Sequence, residues 1–139
     1  MVSRWSALLA LQRATHTTLH VLSEHVAELG LTPAEINTLA NLSDGRPRTV
    51  SALGRLVGAP PTTLTSVLDR LERHGHVTRD RHPSDRRSVV VALTPAGRGA
   101  AGTIRQAISR LERRALAGLD AEAMAGLRAG LEALAEADR

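Results

Sequence analysis

Apolar positions along the chain fall into two periods. From about Val2 to Leu29 they recur at Leu8, Leu11, Leu19, Leu22, Val26 and Leu29, in steps of three and four with Thr15 filling the gap. That is the stripe of one helix face, and it contains no proline. Gly30 supplies a stop. Thr32-Pro33-Ala34-Glu35 then reads as a capping box, with Thr32 accepting from the N3 amide, Pro33 at N1 and Glu35 returning to the cap. The helix it opens carries Ile36, Leu39, Ala40 and Leu42 and ends near Ser43-Asp44-Gly45.

Arg46-Pro47-Arg48 reads as a linker. Thr49 caps a short helix with Val50, Leu53, Leu56 and Val57, and Gly58 ends it. A fourth helix starts in its permitted proline turn and runs from about Pro61 to His74, with Leu64, Val67, Leu68 and Leu71 inward. After Gly75 the period shortens. Val77–Arg81 and Val89–Leu93 read as strands, the second with three β-branched residues in a row, joined by a polar, basic loop from His82 to Arg87. Thr94-Pro95 opens a long helix to about Leu116, with Ile104, Ile108, Leu111 and Ala115 on one face. Asp120 caps a last helix with Met124, Leu127, Leu131 and Leu134.

The fold class expected is therefore mainly α with a small β-hairpin. Two short helices joined by a tight turn and followed by a hairpin define a winged helix-turn-helix. The organisation expected is an N-terminal dimerisation helix over 1–31, a DNA-binding lobe over 32–98 and C-terminal dimerisation helices over 99–139. The end helices carry more apolar face than one small domain needs, which points to an intermolecular bundle, most simply a homodimer.

Composition sharpens this. The chain has 139 residues, no Cys and a single aromatic residue, Trp5. The core must be aliphatic, and thiol chemistry, disulfides and Cys-ligated zinc are excluded. Aromatic stacking platforms for single-stranded nucleic acid are excluded too. All 18 basic residues are Arg, and the net charge is +4. Its distribution matters more than its sum: residues 1–45 are net −2, 46–98 net +6 and 99–139 net 0. The positive charge sits on the helix-turn-helix and hairpin. The N-terminus lacks the apolar run of a signal peptide, and no stretch reaches the roughly 18 apolar residues of a membrane helix. A cytoplasmic protein without membrane contact is expected.

The second helix of such a motif enters the major groove by its N-terminal end. Thr62, Thr63, Thr65 and Ser66 lie there, with hydroxyls suited to phosphates or base edges. For Thr62 and Thr63, helix capping is an equal alternative. Arg70, one turn beyond Ser66, can reach a phosphate or a guanine edge. Arg86 and Arg87 stand at the wing tip, where a narrow minor groove attracts Arg. Asp85 precedes them and could hold one guanidinium in a fixed orientation. His74 and His82 are further phosphate candidates. The chain contains no Gly-x-Ser-x-Gly, no Walker loop, no His-Glu-x-x-His and no dinucleotide fingerprint, so neither catalysis nor a cofactor is expected.

In their order and spacing, several stretches resemble the MarR family of regulators. These are Gly30-Leu31-Thr32-Pro33, Thr63 through Glu72, Gly75-His76-Val77-Thr78-Arg79, Asp85-Arg86-Arg87 and Leu93-Thr94-Pro95-Ala96-Gly97. The resemblance implies a triangular homodimer with intertwined end helices, bound to a pseudo-palindromic operator and usually a repressor. Arg87 would be the minor-groove residue, Asp85 its orienter and Arg86 a phosphate contact. The missing Cys departs from the hydroperoxide-sensing branch. Gly54 stands where the family commonly has Ala, which suggests close helix packing there.

The resemblance also implies a cleft for small phenolic or carboxylate effectors, lined by the first helix. Arg13, His16 and His20 are its polar candidates. His16, His20 and Glu24 also share a spacing compatible with a metal, although no metal site is expected. Trp5 could supply the only ring for stacking. The alternatives to an operator-specific regulator are an effector-independent architectural DNA binder and a winged-helix protein–protein module.

Overall fold

The computed structural model describes residues 6–138, so Trp5 and the expected helix start at Val2 lie outside the described residues. Ser6 caps α1 (Ala7–His25), its Oγ accepting from the Leu9 amide at 3.1 Å. This helix ends one turn earlier than the apolar stripe suggests. Val26 leaves helical geometry (φ −116°, ψ 27°) with its side chain buried, and a 3₁₀ turn (Ala27–Leu29) carries the chain on to Gly30. Next comes α2 (Pro33–Asn41); Ser43–Gly45 falls in tight turns beyond it.

The linker expected over Arg46–Arg48 is partly strand. β1 (Arg48–Thr49) pairs with β3 (Val89–Leu93), which also pairs with β2 (Val77–Arg81), giving an antiparallel sheet in the order β1-β3-β2. Arg48 faces Val91 across one ladder, and Val77 faces Leu93 across the other. Between β1 and β2 lie α3 (Val50–Val57) and α4 (Pro61–Arg73). Helices α5 (Pro95–Ala115) and α6 (Ala121–Ala135) complete the chain.

The chain divides into two compact units, residues 1–108 and 109–139. The core of the first is aliphatic. Ile36, Leu39 and Leu42 from α2 meet Leu53, Leu64, Val67, Leu68 and Leu71 from α3 and α4, all buried, with Val77 and Val91 from the sheet. Leu22 and Val26 join it from α1, and Ala100, Ala101, Ile104 and Ala107 from α5. The amino-terminal part of α1 stays outside, with Leu8 50% and Leu9 47% exposed.

The junction into α5 is tight. Thr94 Oγ1 accepts from the Gly97 amide at 3.0 Å and donates to the Gly75 carbonyl at 2.5 Å, while the Thr94 amide donates to the His76 carbonyl. A Cβ on Gly97 would sit 1.8 Å from that His76 oxygen. At Gly54 a Cβ would meet Leu64 Cδ2 at 3.4 Å, an ordinary contact, so close packing does not account for that glycine.

In the second unit, Asp120 caps α6 through the Ala123 amide at 2.8 Å. No residue of α6 is buried, and Leu127, Leu131 and Leu134 form an exposed apolar stripe. Among the described residues, no helix is long and apolar enough to cross a membrane.

Candidate nucleic-acid interface

Thr49 caps α3 by accepting from the Ala52 amide, and Gly58 stops it in the left-handed region at φ 68°. Ala59-Pro60 turns the chain into α4, with Pro61 at N1. The apolar face of α4 is buried through Leu64, Val67, Leu68 and Leu71. Thr62, Thr63, Thr65 and Ser66 are therefore turned outward, and all four are exposed.

Pro60 is the N-cap residue of α4, and it provides no side-chain acceptor. The first-turn amides of Thr62 and Thr63 are therefore left for an outside acceptor, and a helix N-terminus favours an anion there. The hydroxyls of Thr62, Thr63 and Ser66 make no hydrogen bond among the described residues, so in this structure neither Thr caps the helix. Thr65 differs. Its Oγ1 donates to the Pro61 carbonyl at 2.9 Å and keeps only acceptor capacity outward.

Arg70 turns back toward α2. Its Nε donates to Glu35 Oε1 at 3.1 Å, and the Glu35 side chain is only 3% exposed. The capping box is accordingly half formed. Thr32 Oγ1 accepts from the Glu35 amide at 3.2 Å as expected. The carboxylate, however, accepts from the Thr32 hydroxyl at 3.1 Å and from the Arg70 guanidinium instead of from the cap amide.

The wing loop is built on Asp85. Oδ1 accepts from the Arg87 amide at 3.0 Å, and Oδ2 from the Ser88 hydroxyl at 3.2 Å. The expected bond from Asp85 to a guanidinium is replaced by these two. An Asp side chain closes most readily on the backbone two residues ahead, which lies nearer than a guanidinium reaching outward. Asp85 shapes the loop and leaves the Arg86 and Arg87 guanidinia without partners among the described residues. His82 Nδ1 accepts from the Ser84 amide at 3.1 Å, which commits that nitrogen to the loop. His74 is exposed at the end of α4.

A clamp joins wing to helix. From β2, Arg79 reaches Asp69 Oδ1 at 2.6 Å and Glu72 Oε2 at 3.0 Å on α4. Hydrogen bonds from the two carboxylates, Glu72 first, hold the guanidinium's pKa above its usual value. Between α4, the start of α3 and the wing lies a cleft of about 440 Å³ whose walls include Thr65, Arg79 and Arg87. The structure thus brings together expected residues from the helix and from the wing.

The arginines of the basic stretch sort into three groups by partner. Arg48 pairs with Asp44 at 2.6 Å, Arg70 with Glu35 and Arg79 with Asp69 and Glu72. The Arg46 backbone amide, followed by Arg48, lowers the Asp44 pKa. Arg73 and Arg98 donate only to backbone carbonyls, those of Asp69 and Leu93, and the guanidinia of Arg46, Arg55, Arg81, Arg86 and Arg87 have no partner among the described residues. Arg55 was not singled out from sequence, although it is exposed on α3. Its position one residue after Gly54 on the polar side of a short amphipathic helix was the available signal.

Arg13, His16 and His20 are all exposed on α1. His20 Nε2 lies 3.4 Å from Glu24 Oε1. Among the described residues, no three His, Cys, Asp or Glu side chains gather so that they could hold a metal ion.

A three-stranded antiparallel sheet beside α3-turn-α4, with a basic hairpin, defines a winged helix-turn-helix protein. The model of the MarR family matches residues 31–89, which hold α2 through the wing. The Bacillus subtilis helix-turn-helix regulator YcgE is 36% identical over 70 residues, covering 50% of this chain and 46% of that protein. The B. subtilis repressor MdtR is 31% identical over 74 residues, covering 53% and 48%. An Escherichia coli MarR variant crystallised with operator DNA superposes with a TM-score of 0.73 at 26% identity, covering 91% of this chain and 92% of that one. The lobe over residues 31–89 matches the MarR family model, and the fold of the chain is similar to that of MarR. The chain spans about half the length of the curated relatives it matches.

Proposed function

We propose that the protein is a cytoplasmic, homodimeric transcriptional regulator, not an enzyme, and that it represses from a pseudo-palindromic DNA operator. The N-terminal turn of α4 enters the major groove, and the wing carries Arg87 to the minor groove, with Arg86 on a phosphate. The observation that carries this reading is the shared cleft. Thr65 from α4 and Arg87 from the wing line it together, and the start of α4 that leads to Thr65 has no side-chain cap. Amides and hydroxyls there suit phosphates and base edges, and the arginines supply the electrostatic attraction. Repression accords with the name of the MdtR relative, and operator binding with the E. coli MarR complex.

The dimer follows from surfaces that one copy leaves open. Leu8 and Leu9 on α1, and separately Leu127, Leu131 and Leu134 on α6, are large apolar side chains facing solvent. A second copy covers them most economically, and a two-fold axis then sets the operator symmetry.

Selection of bound duplexes from a random pool tests the reading. The expected result is an inverted repeat with half-sites about 10 bp apart or a multiple of it. Enrichment without symmetry would favour an architectural binder; no enrichment above heparin-competed background would favour a protein–protein module. A thermal-shift screen of phenolic acids against wild type and Arg13→Ala tests the effector: a stabilisation lost in the variant supports binding at α1.

A further inference from the structure

The α2–α4 packing is almost wholly non-directional. Ile36 and Leu39 meet Leu64, Val67, Leu68 and Leu71, aliphatic side chains in a unit without a described aromatic residue. Such a surface rewards burial but weakly opposes a small rotation or slide of one helix on the other. Among the described residues, a single hydrogen-bonded link joins the two helices, the bond from Arg70 Nε to Glu35 Oε1. Its cost is visible. Glu35 is 2% exposed, Oε1 serves both Arg70 and Thr32, and Oε2 is buried with no hydrogen-bond partner. A buried carboxylate half satisfied in this way is a poor device for stability, and an apolar pair of similar volume generally does as well. Fixing a register is the best-attested use of such groups.

We infer that Glu35 and Arg70 form a register pin that fixes the rotation and height of α4 on α2, and so the aim of Thr62, Thr63, Thr65 and Ser66 at the bases. Arg70 is then a positioning residue, its Nε committed to Glu35. The geometry supports this. Thr32 holds Glu35 at the start of α2 through two hydrogen bonds, its hydroxyl donating to the carboxylate and accepting from the Glu35 amide. The Arg79 clamp grips α4 from the sheet side at Asp69, the residue next to Arg70. With α4 held from two sides by directed bonds, its exposed hydroxyls are fixed in azimuth. This inference rests on the DNA-binding reading above.

The test exploits the burial of Glu35, which cannot itself touch DNA. Full-length wild type, Glu35→Gln, Glu35→Leu, Arg70→Lys and the double variant Glu35→Leu/Arg70→Met are compared on the selected duplex and on a scrambled duplex at fixed salt. The readout is the ratio of the two affinities, beside thermal midpoints and the salt slope. The pin predicts that Glu35→Leu and the double variant each lose roughly tenfold or more in that ratio, the scale of one misaimed base contact. Glu35→Gln keeps an acceptor for Arg70 and loses less. The double variant keeps its fold, and its salt slope equals that of wild type.

Unchanged discrimination in folded Glu35 variants would overturn the inference. So would a drop confined to Arg70 variants with a salt slope reduced by about one, the mark of a direct phosphate contact. If Glu35→Leu fails to fold, Glu35→Gln and Arg70→Lys carry the comparison. Wild type that does not discriminate between the duplexes would refute the DNA reading itself, and the inference with it.

Discussion

Gly97 offers the sharpest steric prediction. In Gly97→Ala the new Cβ would lie 1.8 Å from the His76 carbonyl oxygen, 2.8 Å from its carbon and 3.3 Å from its Cα. The obstacle is backbone, so no rotamer relieves it. To restore ordinary contact the strand entry and the start of α5 must separate by more than 1 Å, and two bonds from Thr94, to the Gly75 and His76 carbonyls, tie them at that point while a third caps α5. Overpacking of this kind costs about 1–3 kcal/mol. Loss of the Thr94 cap adds about 1 kcal/mol, and strain on its bond to Gly75 about 1 kcal/mol more. Ala recovers less than the ~1 kcal/mol helix-propensity gain, because Gly97 sits in the first turn. The expected net loss is about 2–4 kcal/mol, read as a lower urea midpoint at unchanged m. Gly54→Ala is the control of opposite sign. It lies inside α3, its Cβ would meet nothing closer than 3.4 Å, and it should be neutral or stabilise by up to ~1 kcal/mol. Equal midpoints for the two variants would refute the steric argument.

The other predictions concern the wing, the clamp and acid stability. Arg87→Ala should weaken duplex binding and lower the salt slope by about one while the sedimentation of the free protein is unchanged; undiminished affinity at moderate salt would remove Arg87 from the interface. Asp85→Ala keeps both guanidinia but frees the loop from the Arg87 amide and Ser88 hydroxyl. It should weaken binding without changing the slope, whereas a changed slope would show that Asp85 acts on the charge itself. Arg79→Met should cost about 1 kcal/mol of stability, since Asp69 and Glu72 are half exposed and solvent screens both pairs. An unmoved denaturation midpoint would mean the clamp adds nothing. The Arg46 amide and the neighbouring Arg48 depress the Asp44 pKa, so its stabilisation is complete above the ordinary carboxylate value and disappears as pH falls through the folded one. The stability gap between wild type and Asp44→Asn should therefore close in acid, and a gap that persists there would contradict the assigned cause.

The elements visible in advance are those whose causes are local. Strands β2 and β3 have the bounds that their β-branched period implies, α3 starts directly after its Thr49 cap and α4 at Pro61, and the two helices stop one residue before Gly58 and two before Gly75. Caps, prolines and left-handed glycines act over three or four residues, so the chain displays them directly. β1 was hidden because two residues carry no period. Arg48 and Thr49 are strand only through Val90 and Val91, some forty residues away. The early end of α1 was hidden for a related reason: Val26 continues the helical stripe but is recruited into the core.

The candidate site divides along the same line. That Thr62, Thr63, Thr65 and Ser66 face outward follows from the apolar positions on the opposite side of α4, which sequence displays. Where each charge ends up is a question of partners, and partners are distant in sequence. Glu35 is 35 residues from Arg70, and in the chain alone it reads as an ordinary capping-box acid. Arg79 is ten residues from Asp69 and crosses from strand to helix. The basic middle of the chain is thus less available to DNA than its net charge implies. Arg48, Arg70 and Arg79 pair with acids inside the lobe, while Arg46, Arg55, Arg73, Arg81, Arg86, Arg87 and Arg98 pair with no carboxylate among the described residues. On the proposed DNA-binding reading, the three paired arginines shape the interface and the others supply its attraction. Substitutions in the first group should therefore alter which duplex is preferred, and those in the second how steeply binding falls with salt.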